Sequence, residues 1–420
     1  MTGHILIVGA SLGGLRAAEQ LRSRGWQGRI TVVGEEAYRP YNRPPLSKDV
    51  LGSDTQTDAD DTHRGLAFRL RDSLSDVDWR LGRSVVSTAL EDRQVRLDDG
   101  ESLVFDGLVV ATGLRSRRLP LEGGESGRHV IRDLDDALAL RQALAARPRV
   151  AVVGFGFIGC EVAATARTLG CEVTVVGPEA CPLERVLGGA LGAAVQRYHE
   201  ARGVAFRPGR TVRAMRPDSV NGPVQGLVLD DGEVLPAEVV VEAIGSHPNV
   251  EWLAGNGLDL GDGVLCDNAL RVEGLPHVVA VGDVARFPNP LFDDVPRRVE
   301  HWCMPTDTAK RAARTLVDHL AGAPADESPF EPLPTFWTDQ FDRRVQGLGA
   351  PALADRVVVA EGGLDLSRAG EDGLAVEYYR DDRLVGAALV QCKHRLAYYR
   401  KRLQSAGPPI EARRSAGTAG

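Results

Sequence analysis

Ile5-Leu-Ile-Val8 runs straight into Gly9-Ala-Ser11-Leu-Gly13-Gly14; the segment from Leu15 to Arg24 follows, and a second apolar run, Ile30-Thr-Val-Val33, closes the stretch. A continuous apolar run of this kind marks a strand buried on both faces, and glycines between it and a helix mark a tight turn. The stretch therefore predicts a βαβ unit. The same order returns with Gly154 standing 145 residues after Gly9: Val150-Ala-Val-Val153, a turn at Gly154-Phe-Gly156-Phe-Ile-Gly159, a helix from about Ile158 to Leu169, and Glu172-Val-Thr-Val-Val176. Two such units predict an α/β fold with two Rossmann-like nucleotide-binding domains.

Each turn has the spacing of a dinucleotide site. The first glycine makes the bend, the second lets the backbone approach a pyrophosphate, and the third lets helix pack on strand. The helix N-terminus then offers free N–H groups and a positive dipole end to the phosphates. In the first turn Ser11 takes the second place, small but carrying a hydroxyl. Glu35, just past the second strand, is placed to accept hydrogen bonds from an adenosine ribose. The second turn has all three glycines, but the position ending its closing strand is Gly177, with Glu179 two residues on. No arginine follows closely enough to mark a 2′-phosphate site, Arg185 being distant, which favours NADH and leaves NADPH open.

Composition excludes other classes. Among 420 residues, 58 acidic against 50 basic side chains give a formal charge of −8, the wrong sign for a dedicated nucleic-acid binder. No basic-then-apolar leader opens the chain and no apolar run has membrane-spanning length, so a soluble, cytoplasmic protein without membrane contact is expected. The cysteines are Cys160, Cys171, Cys181, Cys266, Cys303 and Cys392, and no two stand two to five residues apart. Neither a CxxC pair nor a zinc ribbon is available, no metal site is expected, and buried free thiols are the plain reading.

Between the two units lie a polar loop from Gly52 to Gly65 and a short strand at Leu108-Val-Val-Ala111. After the second come short strands, then Val278-Val-Ala-Val281 leading into Gly282-Asp283. From about Pro324 the character changes to alternating strands, Ala375 to Tyr379 and Leu384 to Val390, with a basic helix from Leu396; this predicts a small α+β domain. Ser405 to Gly420, rich in Gly, Ala, Pro and Arg, reads as a disordered tail.

Two dinucleotide turns joined by Arg39-Pro-Tyr-Asn-Arg43-Pro44-Pro45-Leu46-Ser47-Lys48 resemble the FAD-dependent ferredoxin reductases that serve Rieske oxygenases and bacterial cytochromes P450, within the pyridine nucleotide-disulfide oxidoreductase superfamily. Ala111-Thr112-Gly113, Arg132 in Ile131-Arg-Asp-Leu, Gly282-Asp283, Glu300-His301-Trp302 and Phe336-Trp337-Thr-Asp339-Gln340 extend the likeness over about residues 4 to 403. The resemblance implies an FAD domain in two parts, 1–118 and 240–325. An NAD(P) domain, 119–239, would lie between them, with a C-terminal interface domain at 326–404 and the tail at 405–420.

It also implies roles. Arg43, Pro44 and Lys48 contact FAD, Lys48 beside the flavin ring; Asp283 with Gly282 holds the ribityl chain, Arg132 touches the cofactor, and Trp302 lies against the isoalloxazine, with Glu300 and His301 adjoining. Gly9, Ser11, Leu12, Gly13, Gly14 and Glu35 of the first turn, Gly154, Gly156, Phe157, Ile158, Gly159, Gly177 and Glu179 of the second, and Val86, Ala111, Thr112, Gly113, Ile244 and Gly245 are the further cofactor-binding candidates. Glu161 faces the nicotinamide amide and pairs with Lys48, making these two the catalytic residues. A positive charge beside the ring would stabilise an anionic reduced flavin. The implied activity is hydride transfer from NADH, or NADPH, to FAD, then two single-electron transfers to an iron–sulfur ferredoxin.

Three departures stand out: Ser11 for a common glycine, Gly177 where an acidic ribose partner is usual, and Met304-Pro305 with Thr308 where relatives carry Asn-Ala and a nearby Gln. The first 159 residues contain no cysteine, which excludes the thiol chemistry of disulfide reductases and peroxidases of this fold. An oxidase, a rubredoxin- or nitrite-type reductase, and a redox-sensing NADH-binding protein remain alternatives. An acidic ferredoxin needs a locally basic face. Lys310, Arg311 and Arg314, and Lys393, Arg395, Arg400, Lys401 and Arg402, are the candidates.

Overall fold

The computed structural model describes residues 3–53, 58–124, 126–217, 219, 222–368 and 373–405. The opening apolar run forms the strand His4–Val8, which pairs in parallel with Arg29–Gly34 on one side and Gly107–Val110 on the other. Leu275–Ala280 and Asp78–Leu81 extend the sheet in parallel, and Arg271–Val272 adds an antiparallel edge, making six strands. Ile5, Leu6 and Ile7 are wholly buried, as a sheet covered on both faces requires. Helices Leu12–Ser23 and Met304–Leu320 pack on one another and against this sheet.

The second domain repeats the plan in a five-stranded, all-parallel sheet ordered Val204–Pro208, Glu172–Gly177, Arg149–Val153, Val239–Glu242, Arg128–His129. The boundary expected after residue 239 cuts through one of its strands. Val150 to Val153 pair in register with Val239 to Glu242, so the chain leaves the sheet only after Glu242. Passage between the domains runs through a two-stranded antiparallel ribbon, Leu114–Ser116 against Ser246–Pro248, in which Ser116 opposes Ser246.

A buried ion pair anchors the incoming segment. Arg128 Nε lies 2.7 Å from Glu242 Oε1, their side chains 4% and 0% exposed, and Arg128 also donates to the carbonyls of Leu119 and Leu121. Removing one member strands the other charge in the core. Arg128→Met is therefore expected to cost about 3–5 kcal/mol of unfolding free energy. Denaturant titration followed by circular dichroism checks this, and an unchanged midpoint would show that the pair contributes nothing net.

The C-terminal domain is a five-stranded antiparallel sheet ordered Thr335–Gln340, Arg343–Gly349, Arg383–Val390, Leu374–Arg380, Arg356–Glu361. The helix Leu396–Ser405 packs against it through Tyr399 and Leu403. The helix Glu184–Glu200 of the second domain also packs against it, and Leu187, Leu191 and Val195 join Val345, Val376 and Tyr378 in one core. The Tyr378 hydroxyl donates to the Leu187 carbonyl at 2.8 Å, just before Gly188, whose φ of 74° and ψ of 164° kink the helix.

The polar stretch expected to be a loop from Gly52 to Gly65 contains the helix Ala59–Leu66, capped by Asp58, whose carboxylate accepts from Asp61 N at 2.8 Å. Asp60 and Asp61 in its first turn suit the positive end of the dipole. The expected tail falls almost wholly outside the described residues, which stop at Ser405. Among the described residues no helix is long and apolar enough to cross a membrane.

Candidate active site

The two glycine turns are built alike. Gly9 N donates to Val33 O at 2.7 Å and Gly154 N to Val176 O at 2.8 Å, so each turn is tied to the strand that closes its unit. Gly9 and Gly154 have φ of +116° and +118°, and a Cβ on either would lie 2.1 Å from a carbonyl oxygen, that of Ala111 or Ala243. Only glycine fits these positions. Ser11 and Gly156 are the N-caps of the helices that follow, and neither helix has a side-chain cap on its N–H groups. Such open donors suit an anion.

The register corrects the expectation for Gly177. Val8 pairs with Val33 and Val153 with Val176, so Gly177 is the counterpart of Gly34, not of Glu35. Both glycines are required by packing: a Cβ would strike Ala10 at Gly34 and the Phe155 ring at Gly177. The place of Glu35 falls on Pro178, which leaves Glu179 as the nearby carboxylate. Arg185, expected to be too distant to matter, lies with Nε 2.7 Å from Glu179 Oε1.

A cavity of about 250 Å³ opens between the domains. Of the expected residues it gathers Ser11, Leu12, Gly13, Arg43, Pro44, Lys48, Ala111, Gly113, Arg132, Phe157, Ile158, Glu161, Gly282, Asp283, Glu300, His301 and Trp302. Gly9, Gly14, Gly154, Gly156 and Gly159 belong to the turns and do not line it. Thr112 donates from its hydroxyl to Asn249 O at 2.7 Å, tying the strand end in place. Glu35 is exposed, Val86 is half exposed on the strand Val85–Ala89, and Gly177, Glu179, Ile244 and Gly245 lie outside the cavity wall.

All three domains meet at Glu161, which is 5% exposed. Its Oε2 accepts from Lys48 Nζ at 2.8 Å and from the Ser47 hydroxyl at 2.6 Å; its Oε1 accepts from the Thr338 hydroxyl at 2.7 Å and Asp339 N at 3.2 Å. Four donors converge on this one side chain, and charge-assisted bonds such as that from Lys48 are the strong kind. Lys48 also donates to Pro44 O at 3.1 Å. Arg43 is fixed by Glu36 and by Arg132 O, while the Tyr41 hydroxyl donates to Glu36 at 2.6 Å.

On the opposite wall, burial pushes the Asp283 carboxyl up to about 6 against the pull of Arg132. Arg132 is its nearest ion-pair partner, at 3.8 Å. No hydrogen bond to that carboxylate is made among the described residues, so it faces the cavity ready to accept from a hydroxyl. Thr308 acts one step behind: its Oγ1 accepts from Gly282 N at 3.0 Å and donates to Met304 O at 2.6 Å, fixing the Gly282-Asp283 turn to a helix start. Pro305 lines the cavity beside it. Trp302 stacks on Phe68 with centroids 6.0 Å apart, and Phe336 lies 4.8 Å from His301 and 5.3 Å from Phe157.

Ser47, Phe336, Trp337 and Thr338 are contributors to which the sequence reading assigned no role. Ser47 and Thr338 are buried polar residues whose partner, Glu161, lies on a distant segment of the chain. No cysteine lines the cavity. Cys303, next to Trp302, instead accepts from Thr335 N at 3.2 Å, and burial raises its thiol above the ordinary range. Glu361, Cys392 and His394 place donor atoms within 4.8 Å of one another, but the Glu361 carboxylate is already held by Arg395.

The expected basic patches are reshaped. Arg311 is 9% exposed and bonds Asp326 at 2.7 Å, and Arg314 lies 2.6 Å from the same carboxylate, so neither is a free surface charge. Arg395 and Arg402 are paired with Glu361 and Glu377. Lys310 and Arg400 are exposed and both pull the Asp307 carboxyl downward, which brings one member of each patch together; Lys393 and Lys401 are exposed as well.

Comparison with known proteins follows the same lines. Residues 3–312 match the pyridine nucleotide-disulphide oxidoreductase family and residues 335–419 the reductase C-terminal family. The chain is 36% identical to the anthranilate 1,2-dioxygenase system ferredoxin–NAD(+) reductase component of Burkholderia cepacia, over 96% of this chain and 95% of the relative. A solved structure of the ferredoxin reductase for the CYP199A2 system from Rhodopseudomonas palustris superposes with a TM-score of 0.86 at 32% identity, covering 97% of this chain and 95% of that one. Putidaredoxin reductase in its covalent complex with putidaredoxin gives 0.84 at 30% identity, over 96% and 93%.

Proposed function

The chain belongs to the pyridine nucleotide-disulphide oxidoreductase family, and from that premise we propose that it is an FAD-dependent reductase that takes electrons from NADH and delivers them to an iron–sulfur ferredoxin serving an oxygenase, of the Rieske or cytochrome P450 kind. The observation that carries this reading is the Lys48–Glu161 pair, where one nucleotide-binding domain meets the other on a cavity wall without a thiol. The family's ferredoxin reductases bind FAD and use NADH, and the residues present fit FAD. The uncapped helix start at Leu12 would offer N–H groups to a pyrophosphate, and the Asp283 carboxylate, on the cavity wall beside Arg132, would accept from a hydroxyl.

A bound flavin accepts two electrons together from a nicotinamide and can give them up singly. The chain's own residues set the conditions. Ser11 and the helix Leu12–Ser23 would hold the pyrophosphate, Asp283 the ribityl hydroxyls, and Arg43 is kept in place for the cofactor by Glu36. Lys48 supplies a fixed positive charge, and Glu161 offers an oriented carboxylate to the nicotinamide amide. Phe157, Phe336, Trp302 and Trp337 exclude water from this point. NADH is the expected donor, with Glu179 as the carboxylate that would receive ribose hydroxyls; Arg185, 2.7 Å from it, would let a 2′-phosphate be tolerated.

Anaerobic titration of the flavin-loaded protein with NADH, and separately with NADPH, tests the proposal. Stoichiometric bleaching by NADH, and less readily by NADPH, is expected; a flavin that neither donor bleaches would refute it. A cytoplasmic location is part of the same proposal, supported by six free cysteines, and cell fractionation checks it.

The joined basic surface is the proposed ferredoxin dock. Lys310→Glu combined with Arg400→Glu is expected to slow ferredoxin reduction about tenfold at low ionic strength and to flatten its salt dependence. Ferricyanide reduction should be unaffected. Equal loss with both acceptors would place the defect elsewhere.

A further inference from the structure

Behind Glu161 runs a line of buried polar side chains that cofactor binding does not require. Thr338 and Gln340, on the strand Thr335–Gln340, and His199, near the end of the helix Glu184–Glu200, are all 0% exposed. His199 Nε2 lies 2.8 Å from Gln340 Oε1, Gln340 Nε2 donates to Thr338 Oγ1 at 2.7 Å, and Thr338 Oγ1 donates to Glu161 Oε1 at 2.7 Å. The Phe206 and Phe341 rings enclose His199 at 5.9 and 4.9 Å, surroundings in which an apolar side chain would pack without any need for partners.

Proton counting gives this line one direction. A hydroxyl has one proton, and Thr338 gives it to Glu161, which leaves a lone pair for the Gln340 amide. That sets the Gln340 amide with its oxygen toward His199, and His199 must then carry its proton on Nε2. Its Nδ1 is buried with no hydrogen-bond partner, which fits a neutral ring, and burial lowers the imidazole to about 4. Three donors in series therefore end on one oxygen of Glu161, drawn from the second domain through the C-terminal one.

We infer that Thr338 and Gln340, backed by His199, are positioning residues for Glu161. The C-terminal domain completes the catalytic site by locking the carboxylate in the orientation it presents to the nicotinamide. The inference rests on the proposal that Glu161 faces the nicotinamide of NADH.

Thr338→Val keeps the volume and removes the donor. In the flavin-loaded protein it is expected to lower the limiting rate of flavin reduction by NADH at least about tenfold with KM changed by less than about threefold, because an orientation effect is expressed in the reacting complex. Thr338→Ser should restore the rate. Gln340→Leu, one link further back, should give a smaller loss in the same sense and keeps the test available if the valine variant does not fold. A second readout needs no turnover: nitrogen chemical shifts of ¹⁵N-histidine-labelled protein should report the Nε2–H tautomer for His199 and should move in both variants. Moved His199 signals with an unchanged reduction rate would overturn the positioning role, as would a valine loss that serine does not repair. If NADH fails to reduce the wild-type flavin, the proposed function falls instead, while the His199 tautomer still reports on the chain of bonds.

Discussion

Lys48→Met is expected to retain flavin and fold while losing about two orders of magnitude in the rate at which NADH reduces it. Lys48 sits 2.8 Å from Glu161 on a largely buried wall, where a fixed charge acts with little solvent screening. Removing one preorganised electrostatic partner from such a site typically costs 10²- to 10³-fold in rate. Stability should suffer less, because Glu161 keeps the Ser47 and Thr338 hydroxyls and Asp339 N. Stopped-flow absorbance with the flavin content measured in parallel decides the matter. Lys48→Arg should recover part of the rate, and a full rate in the methionine variant would remove Lys48 from the catalytic pair.

The second large effect separates the two nucleotide sites. Gly154→Ala should leave the protein yellow but raise the KM for NADH at least about 100-fold, since its Cβ would drive into Ala243 O and displace the backbone from the pyrophosphate. Gly9→Ala, with the same clash against Ala111 O, should instead yield colourless protein. Absorbance of the purified variants and steady-state kinetics read both outcomes. Flavin loss from Gly154→Ala, or retention in Gly9→Ala, would reverse the assignment of the two turns.

The fold was readable wherever a local period repeats. Both βαβ units announce themselves because a parallel strand is apolar throughout and its turn demands glycine at φ near +117°, a constraint visible in residue type alone. The helix Ala59–Leu66 was not, since it buries no residue and so carries no apolar stripe. Gly177 was misplaced because a strand's last residue is fixed by pairing, and only the register aligns it with Gly34. Within the site, the motif residues Arg43, Lys48, Asp283 and Trp302 were found, and the cavity collects them. Ser47 and Thr338 escaped because their partner is Glu161, more than a hundred residues away from both, and Gln340 because it reaches Glu161 only through Thr338, with His199 behind it. Arg311 looked like surface charge because Asp326, which pairs with it, lies beyond the end of its helix, out of reach of a helical spacing.

The ribbon in which Ser116 opposes Ser246 brings the entry and exit of the inserted domain side by side. A segment whose two ends touch can be cut out and replaced without stretching the chain on either side. The inserted domain is thus a cassette with two adjacent splice points. On the proposed function, donor preference would change by its exchange while the proposed flavin site and ferredoxin dock stay as they are. The limit on such trade is Glu161, because any incoming domain must still present a carboxylate that Lys48 and Thr338 can reach.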